Sequence, residues 1–219
     1  MRAIILANSH LADPESLVAG LREDDLIIAA DGGGQHCLDL GLTPAVIIGD
    51  FDSLAEKSLE ILEKRGAKAI RHSRRKDETD LELAVRYACR AGAAEILIFA
   101  ALGNRWDMTL SNLLLPAQGE FQCVPIRLVD GSQQISLLKP GRTHIIAGAP
   151  GDTLSLIPLT DEATGIQTEA LEYPLHGETL YFGSPRGVSN VFLSPQASIT
   201  LQSGLLLCVH IRQSGALAG

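Results

Sequence analysis

Asp50 and Asp52 stand one residue apart in VIIGDFDSLAE, residues 46–56, where an apolar run ends. Two carboxylates that close repel each other unless a cation or hydrogen-bond donors compensate. Hard oxygen ligands in such a place suit Mg2+, which one or two carboxylates commonly hold together with substrate phosphates. Asp31 directly follows LIIAA, and Asp107 comes shortly after EILIFAA. As strand ends of one open α/β sheet, these positions bring all four acids to the rim where ligands gather. Each acid also has a local reading. Ser53 with Glu56, and Thr79 with Glu82, have capping-box spacing, and Asp107 is placed to cap the segment MTLSNLLL. A D-x-D pair alone also occurs in glycosyltransferases and in aspartate-nucleophile phosphatases.

Three further clusters accompany the acids. The glycines of ADGGGQH, Gly32 and Gly33 among them, either let a backbone approach and bind phosphate through its amides or make a plain tight turn. RRKDETD, residues 74–80, packs Arg74, Arg75 and Lys76 against Asp77, Glu78 and Asp80 just before a helix. It reads either as a solvated charge run or as cations for a polyphosphate beside an acid for its metal. GNRWDMTLSN, residues 103–112, offers Arg105 and Asp107 on a loop opening a helix, with Trp106 between them read as core or interface packing rather than a stacking platform. The chain has neither G-x-x-x-x-G-K-[ST] nor G-x-G-x-x-G, which disfavours a P-loop kinase and an ordinary dinucleotide dehydrogenase.

The elements that must position these residues follow from two periodicities. AIILA (3–7), LIIAA (26–30), AVIIG (45–49) and EILIFAA (95–101) are apolar without alternation, and helix-like segments such as LAEKSLEILEKRG and DLELAVRYACRAGA separate them. Strands apolar on both faces belong to a parallel sheet covered on both sides. After about Val124 the helical pattern stops, and DTLSLIPL, ETLYFG and ASITLQSGLLLCVHI run between Gly, Pro and Ser turns. The expected architecture is therefore an N-terminal three-layer α/β domain, 1–125, followed by a small antiparallel β-sandwich, 126–219. Apolar positions in the β half, including parts of LQSGLLLCVHI, are expected to be buried in a homodimer.

Composition sets outer bounds. The 219 residues carry a formal net charge of −8, which argues against a nucleic-acid surface and is compatible with a cationic small molecule. No apolar run reaches the roughly 18–20 residues that span a bilayer. MRAIILANSH lacks a small-residue cleavage site and reads as a first strand. Cys37, Cys89, Cys123 and Cys208 form no C-x-x-C pair and read as buried thiols, so a cytoplasmic protein is expected.

In order along the chain, ADGG (30–33), GDFDS (49–53), KDETD (76–80), GNRWD (103–107) and GVSN (187–190) resemble the signature series of the thiamin pyrophosphokinase family. The resemblance implies transfer of a diphosphoryl group from ATP to the hydroxyl of thiamin, giving thiamin diphosphate and AMP. It also implies Mg2+ dependence and a homodimer with active sites at the subunit interface, the first domain binding ATP and the metal and the second binding thiamin. Carried over by position, Asp50, Asp52 and Asp80 are the metal acids. Asp31, Gly32, Gly33, Lys76, Thr79 and Arg105 fall on the ATP side, Asp107, Ser189 and Asn190 on the thiamin side, and Arg105 and Asp107 join the acids as catalytic residues. Two positions depart from the family pattern: Met108 replaces a usual His, and Ala170 replaces a frequent Gly before LEYPL, which leaves the role of Tyr173 open. The alternative readings are another Mg2+-dependent small-molecule transferase and a non-catalytic relative that binds thiamin or nucleotide.

Overall fold

The apolar runs of the first half become strands because both of their faces are covered. A computed structural model of the chain describes residues 1–121 and 124–213. They form two units, Met1–Gly131 and Ser132–Gly219; the division expected from sequence ends the first at residue 125. In the first unit, strands β1 (Arg2–Leu6), β2 (Leu26–Ala30), β3 (Val46–Gly49), β4 (Lys68–Arg71), β5 (Glu95–Phe99) and β6 (Ile126–Asp130) pair in parallel in the order β6-β5-β1-β2-β3-β4. Ala3, Ile4, Ile5 and Leu6 at the centre are at most 1% exposed. Each fully buried Leu or Ile stabilises by roughly 1.5–3 kcal/mol relative to exposure. The edge strand β4 reads KAIR and exposes Lys68 and Arg71, the polarity that blunts a sheet edge.

Helices α1 (Pro14–Ala19), α2 (Gly33–Asp39), α3 (Glu56–Lys64), α4 (Asp80–Arg90) and α5 (Trp106–Leu114) connect these strands. Helix α4 buries Leu81, Ala84, Val85 and Ala88, one stripe at helical spacing. Its cap is the expected one, Thr79 Oγ1 accepting from the Glu82 amide at 3.1 Å. The other two expected caps do not form. Ala55 precedes α3 without a side-chain cap, because Ser53 Oγ donates to Asp52 Oδ1 instead. Helix α5 begins at Trp106, so Asp107 lies within its first turn rather than capping it.

The second unit is a β-sandwich. One sheet is antiparallel in the order β12-β9-β14-β7, from Asn190–Val191, Thr153–Pro158, Leu206–Ile211 and Gln133–Leu138. The other runs β11-β10-β13-β8, from His176–Tyr181, Glu162–Glu169, Gln196–Thr200 and His144–Ala147. Leu154, Leu156 and Leu206 of the first sheet and Ile166, Leu180 and Ile199 of the second meet in one core. Leu206 and Cys208, within LQSGLLLCVHI, are buried in the core of this unit and are not free to meet a partner. Burial pushes the Cys37 and Cys208 thiols up to about 12. Cys89 is only half-buried, and Cys123 lies outside the described residues.

Candidate active site

Strand register creates the acidic cluster. Ala30 lies opposite Ile48, so the residues leaving β2 and β3 emerge side by side. The Asp31 amide donates to Ile48 O at 2.8 Å, and a Cβ at Gly49 would stand only 3.0 Å from Asp31 Cβ, so a glycine there lets the two chains approach. Asp31 (φ 46°) and Phe51 (φ 63°) both adopt left-handed backbone, rare for residues with side chains. This pair of turns brings carboxylate oxygens of Asp31, Asp50 and Asp52 within 4.8 Å of one another.

The three acids are not equivalent. Asp31 is 6% exposed, and its Oδ1 has no hydrogen-bond partner among the described residues. Burial above all, with the nearby charges of Asp80 and Asp52, pushes its carboxyl above the ordinary range against the opposing influence of the nearby Ser53 hydroxyl and Gly32 amide. Asp50 Oδ1 accepts from the Asp52 amide at 3.0 Å, and Asp52 Oδ1 accepts from Ser53 Oγ at 2.9 Å. Arg71 stacks on the Phe51 ring at 4.7 Å and donates to Asp50 O, fixing the turn between the two acids. Arg74 places Nη2 3.2 Å from Asp52 Oδ2 and Nε 3.8 Å from Asp50 Oδ2. Three hard oxygen donors, one of them buried and unpartnered, fit a divalent cation such as Mg2+.

Asp80 is not in this set of three, although its charge acts on Asp31. It opens α4 and takes Lys76 Nζ on Oδ1 at 2.6 Å, with the Lys76 side chain only 13% exposed. Behind this loop Arg86 of α4 donates to Glu78, Glu82 and Glu120, an anchor that the charge pattern alone did not single out. Gly32 and Gly33 form the turn into α2. At Gly33 a Cβ would lie 1.9 Å from Leu6 O, so close packing on β1 requires this glycine.

Arg105 and Asp107 form an exposed fork, Nη2 to Oδ2 at 2.6 Å and Nε to Oδ1 at 3.3 Å. The Arg105 hydrogen bond holds the Asp107 carboxyl below its ordinary value. Trp106 is 73% exposed, so it does not pack into the core of its unit. Two buried polar residues that sequence reasoning missed set this loop: Asn112 Nδ2 donates to Ala101 O at 2.7 Å, and Thr109 Oγ1 bonds both the amide and the carbonyl of Gly103. Their signal is polar residues on the buried face of a helix, where hydrogen-bond partners are obligatory.

In the second unit Ser189 (φ 62°) donates its amide to Ser155 Oγ at 3.0 Å. The Asn190 amide is spent on backbone: Oδ1 accepts from Tyr173 N at 3.0 Å and Val191 N at 2.9 Å, and Nδ2 donates to Tyr173 O at 2.7 Å. Asn190 thus clasps the segment presenting Tyr173, which is 64% exposed. Ala170 has φ 62°, which explains why glycine suits that position. A Cβ at Gly187 would stand 2.1 Å from Leu156 O, so the first residue of GVSN is fixed by packing.

The two units correspond to two family descriptions. "Thiamin pyrophosphokinase, catalytic domain" matches residues 19–128, and "Thiamin pyrophosphokinase, vitamin B1 binding domain" matches residues 143–206. This chain belongs to the thiamin pyrophosphokinase family. The thiamine pyrophosphokinase of Bacillus subtilis is 29% identical over 201 residues, covering 90% of this chain and 94% of that protein. A crystal structure of thiamine pyrophosphokinase from Bacillus subtilis superposes with TM-score 0.86 at 26% identity, covering 97% of this chain and 100% of that one. A thiamin pyrophosphokinase family protein from Enterococcus faecalis gives TM-score 0.84 at 26% identity, with 98% and 100% covered. The catalytic-domain match of the thiamin pyrophosphokinase family contains Asp31, Asp50, Asp52, Lys76, Thr79, Asp80, Arg105 and Asp107, and the vitamin B1 match contains Tyr173, Ser189 and Asn190.

Proposed function

We propose that this chain transfers the diphosphoryl group of ATP to thiamin, the reaction of its family, and that the acids after β2 and β3 carry it. In that reaction the thiamin hydroxyl oxygen bonds to the β-phosphorus, the bond from that phosphorus to the α–β bridging oxygen breaks, AMP leaves, and the hydroxyl loses its proton. Alignment and charge stabilisation dominate such a transfer. The cluster of Asp31, Asp50 and Asp52 is the observation that supports this assignment most strongly. Asp50 and Asp52, with Asp31 added, would hold Mg2+, and Asp80 completes the acids once Lys76 turns toward phosphate. Bound there, Mg2+ neutralises negative charge on the polyphosphate. Arg105 supports the phosphates as well. Asp107, kept ionised by Arg105, orients the thiamin hydroxyl or receives its proton. With ATP, Mg2+ and a panel of alcohols, AMP should form with thiamin alone; ADP as the nucleotide product would contradict the assignment.

Ser189 and Asn190 are proposed for the thiamin side, Asn190 acting through Tyr173. Asn190→Ala should lower stability by roughly 1–3 kcal/mol, since it removes hydrogen bonds to three backbone groups. It should also raise the KM for thiamin about tenfold and leave that for ATP unchanged. Kinetics with each substrate varied, beside a denaturant melt, check both effects. Reduced stability with an unaltered thiamin KM would make Asn190 a structural clasp and nothing more.

A cytoplasmic homodimer with active sites at the subunit interface completes the proposal. Its support is the exposed Tyr181, Phe182 and Leu193 of the second unit and the buried Cys37 and Cys208 thiols. Among the described residues no helix is long and apolar enough to cross a membrane.

A further inference from the structure

Three cations sit in the stretch between β4 and α4, and they are used differently. Lys76 is paired with Asp80. Arg75 is exposed and makes no ion pair among the described residues; only its backbone amide is engaged, with Ser73 Oγ. Arg74 is 69% exposed at its side chain, yet it lies across Asp50 and Asp52. Holding a long exposed side chain in one place costs rotamer entropy, and an ordinary surface pair returns little. The compensation here is that Arg74 meets two carboxylates of a three-acid cluster whose third member, Asp31, is buried with an unpartnered oxygen.

We propose that Arg74 is a tethered counter-cation of the Asp50–Asp52 pair, displaced when a divalent ion arrives with a nucleotide and then turned onto the phosphates. The inference rests on the reading of this cluster as a cation site. A guanidinium and a divalent ion on the same oxygens repel each other, so Arg74 weakens binding of a metal ion that comes alone. A metal ion that comes with a triphosphate brings anionic oxygens, which accept the displaced fork in two parallel hydrogen bonds. Metal and polyphosphate are thereby coupled, each favouring the other. Arg74 thus selects the metal–nucleotide complex over the bare cation.

Mn2+ binding by the full-length protein, followed through the spin-resonance signal of the free ion, tests this without catalysis. With no nucleotide present, R74Q should bind Mn2+ roughly two- to fivefold more tightly than the wild type, the range an exposed ion pair supplies. R75Q should match the wild type. With Mn2+ and an ATP analogue carrying a methylene between its α- and β-phosphorus atoms, R74Q should instead bind the analogue several-fold more weakly. The ratio between R74Q and wild type for Mn2+ alone should shrink toward one as ionic strength rises. Equal or weaker Mn2+ binding by R74Q, an equal gain in R75Q, or undiminished analogue binding would each overturn the role of Arg74. D52N separates this from the underlying reading: it should lose Mn2+ whether or not Arg74 is present, and a D52N protein that keeps Mn2+ would refute the cation site itself.

Discussion

Asp52→Asn should lower turnover by roughly 10²-fold or more while the protein melts as the wild type does. The substitution is nearly isosteric and keeps one oxygen for Ser53 Oγ. Its carboxylate touches no core: the side chain is 43% exposed, and its other partner is Arg74 at 3.2 Å. Loss of a surface ion pair of this kind changes stability by no more than about 1 kcal/mol. Turnover falls much further because one of three converging charges is gone where the polyphosphate's own charge must be balanced. The deficit should be greatest at limiting Mg2+ and partly recovered at high Mg2+. Near-wild-type activity at limiting Mg2+ would remove Asp52 from the cation site, and a parallel fall in melting temperature would make the effect one of folding.

Gly33→Ala should have the largest effect on the scaffold beneath that site. The added methyl would lie 1.9 Å from Leu6 O and 2.6 Å from Leu6 C, both backbone atoms of the central strand β1. Strand and turn must separate by about 1 Å, and overpacking of this kind costs roughly 3 kcal/mol or more when backbone has to move. Gly32→Ala is the informative control. There the nearest atom is Asn8 Oδ1 at 2.0 Å, the end of an exposed side chain that can rotate away. Chemical denaturation of the two variants should therefore rank Gly33→Ala well below Gly32→Ala. Equal stabilities would mean that the β1–α2 contact is not the constraint on Gly33. Because Asp31 lies two residues before Gly33, the surviving fold of Gly33→Ala should also bind Mn2+ less tightly.

The strands of the parallel sheet were legible because burial on both faces leaves an uninterrupted apolar run: LIIAA is β2 as read, and EILIFAA contains β5. KAIR was not, since an edge strand that exposes Lys68 and Arg71 carries no such run. The acids were recognisable at strand ends and expected on one rim, but which of them converge was not. That Asp31 joins Asp50 and Asp52 depends on β2 and β3 being neighbours in register, with Ala30 opposite Ile48, and strand order is a tertiary fact. Capping-box spacing was right at Thr79 and failed at Ser53, where a carboxylate one residue away competed for the hydroxyl. Asn190 was singled out from sequence, yet its hold on Tyr173, seventeen positions away, comes from the bridge between Leu171 and Phe192 that brings their segments together.

The central claim is a transfer of two phosphorus atoms together, and the fate of label in ATP tests it most directly. With ATP carrying radioactive phosphorus at the β position, thiamin and Mg2+, all label leaving ATP should appear in thiamin diphosphate, in step with unlabelled AMP. Label retained in ADP while thiamin monophosphate accumulates, or label released as free pyrophosphate with thiamin unchanged, would contradict it.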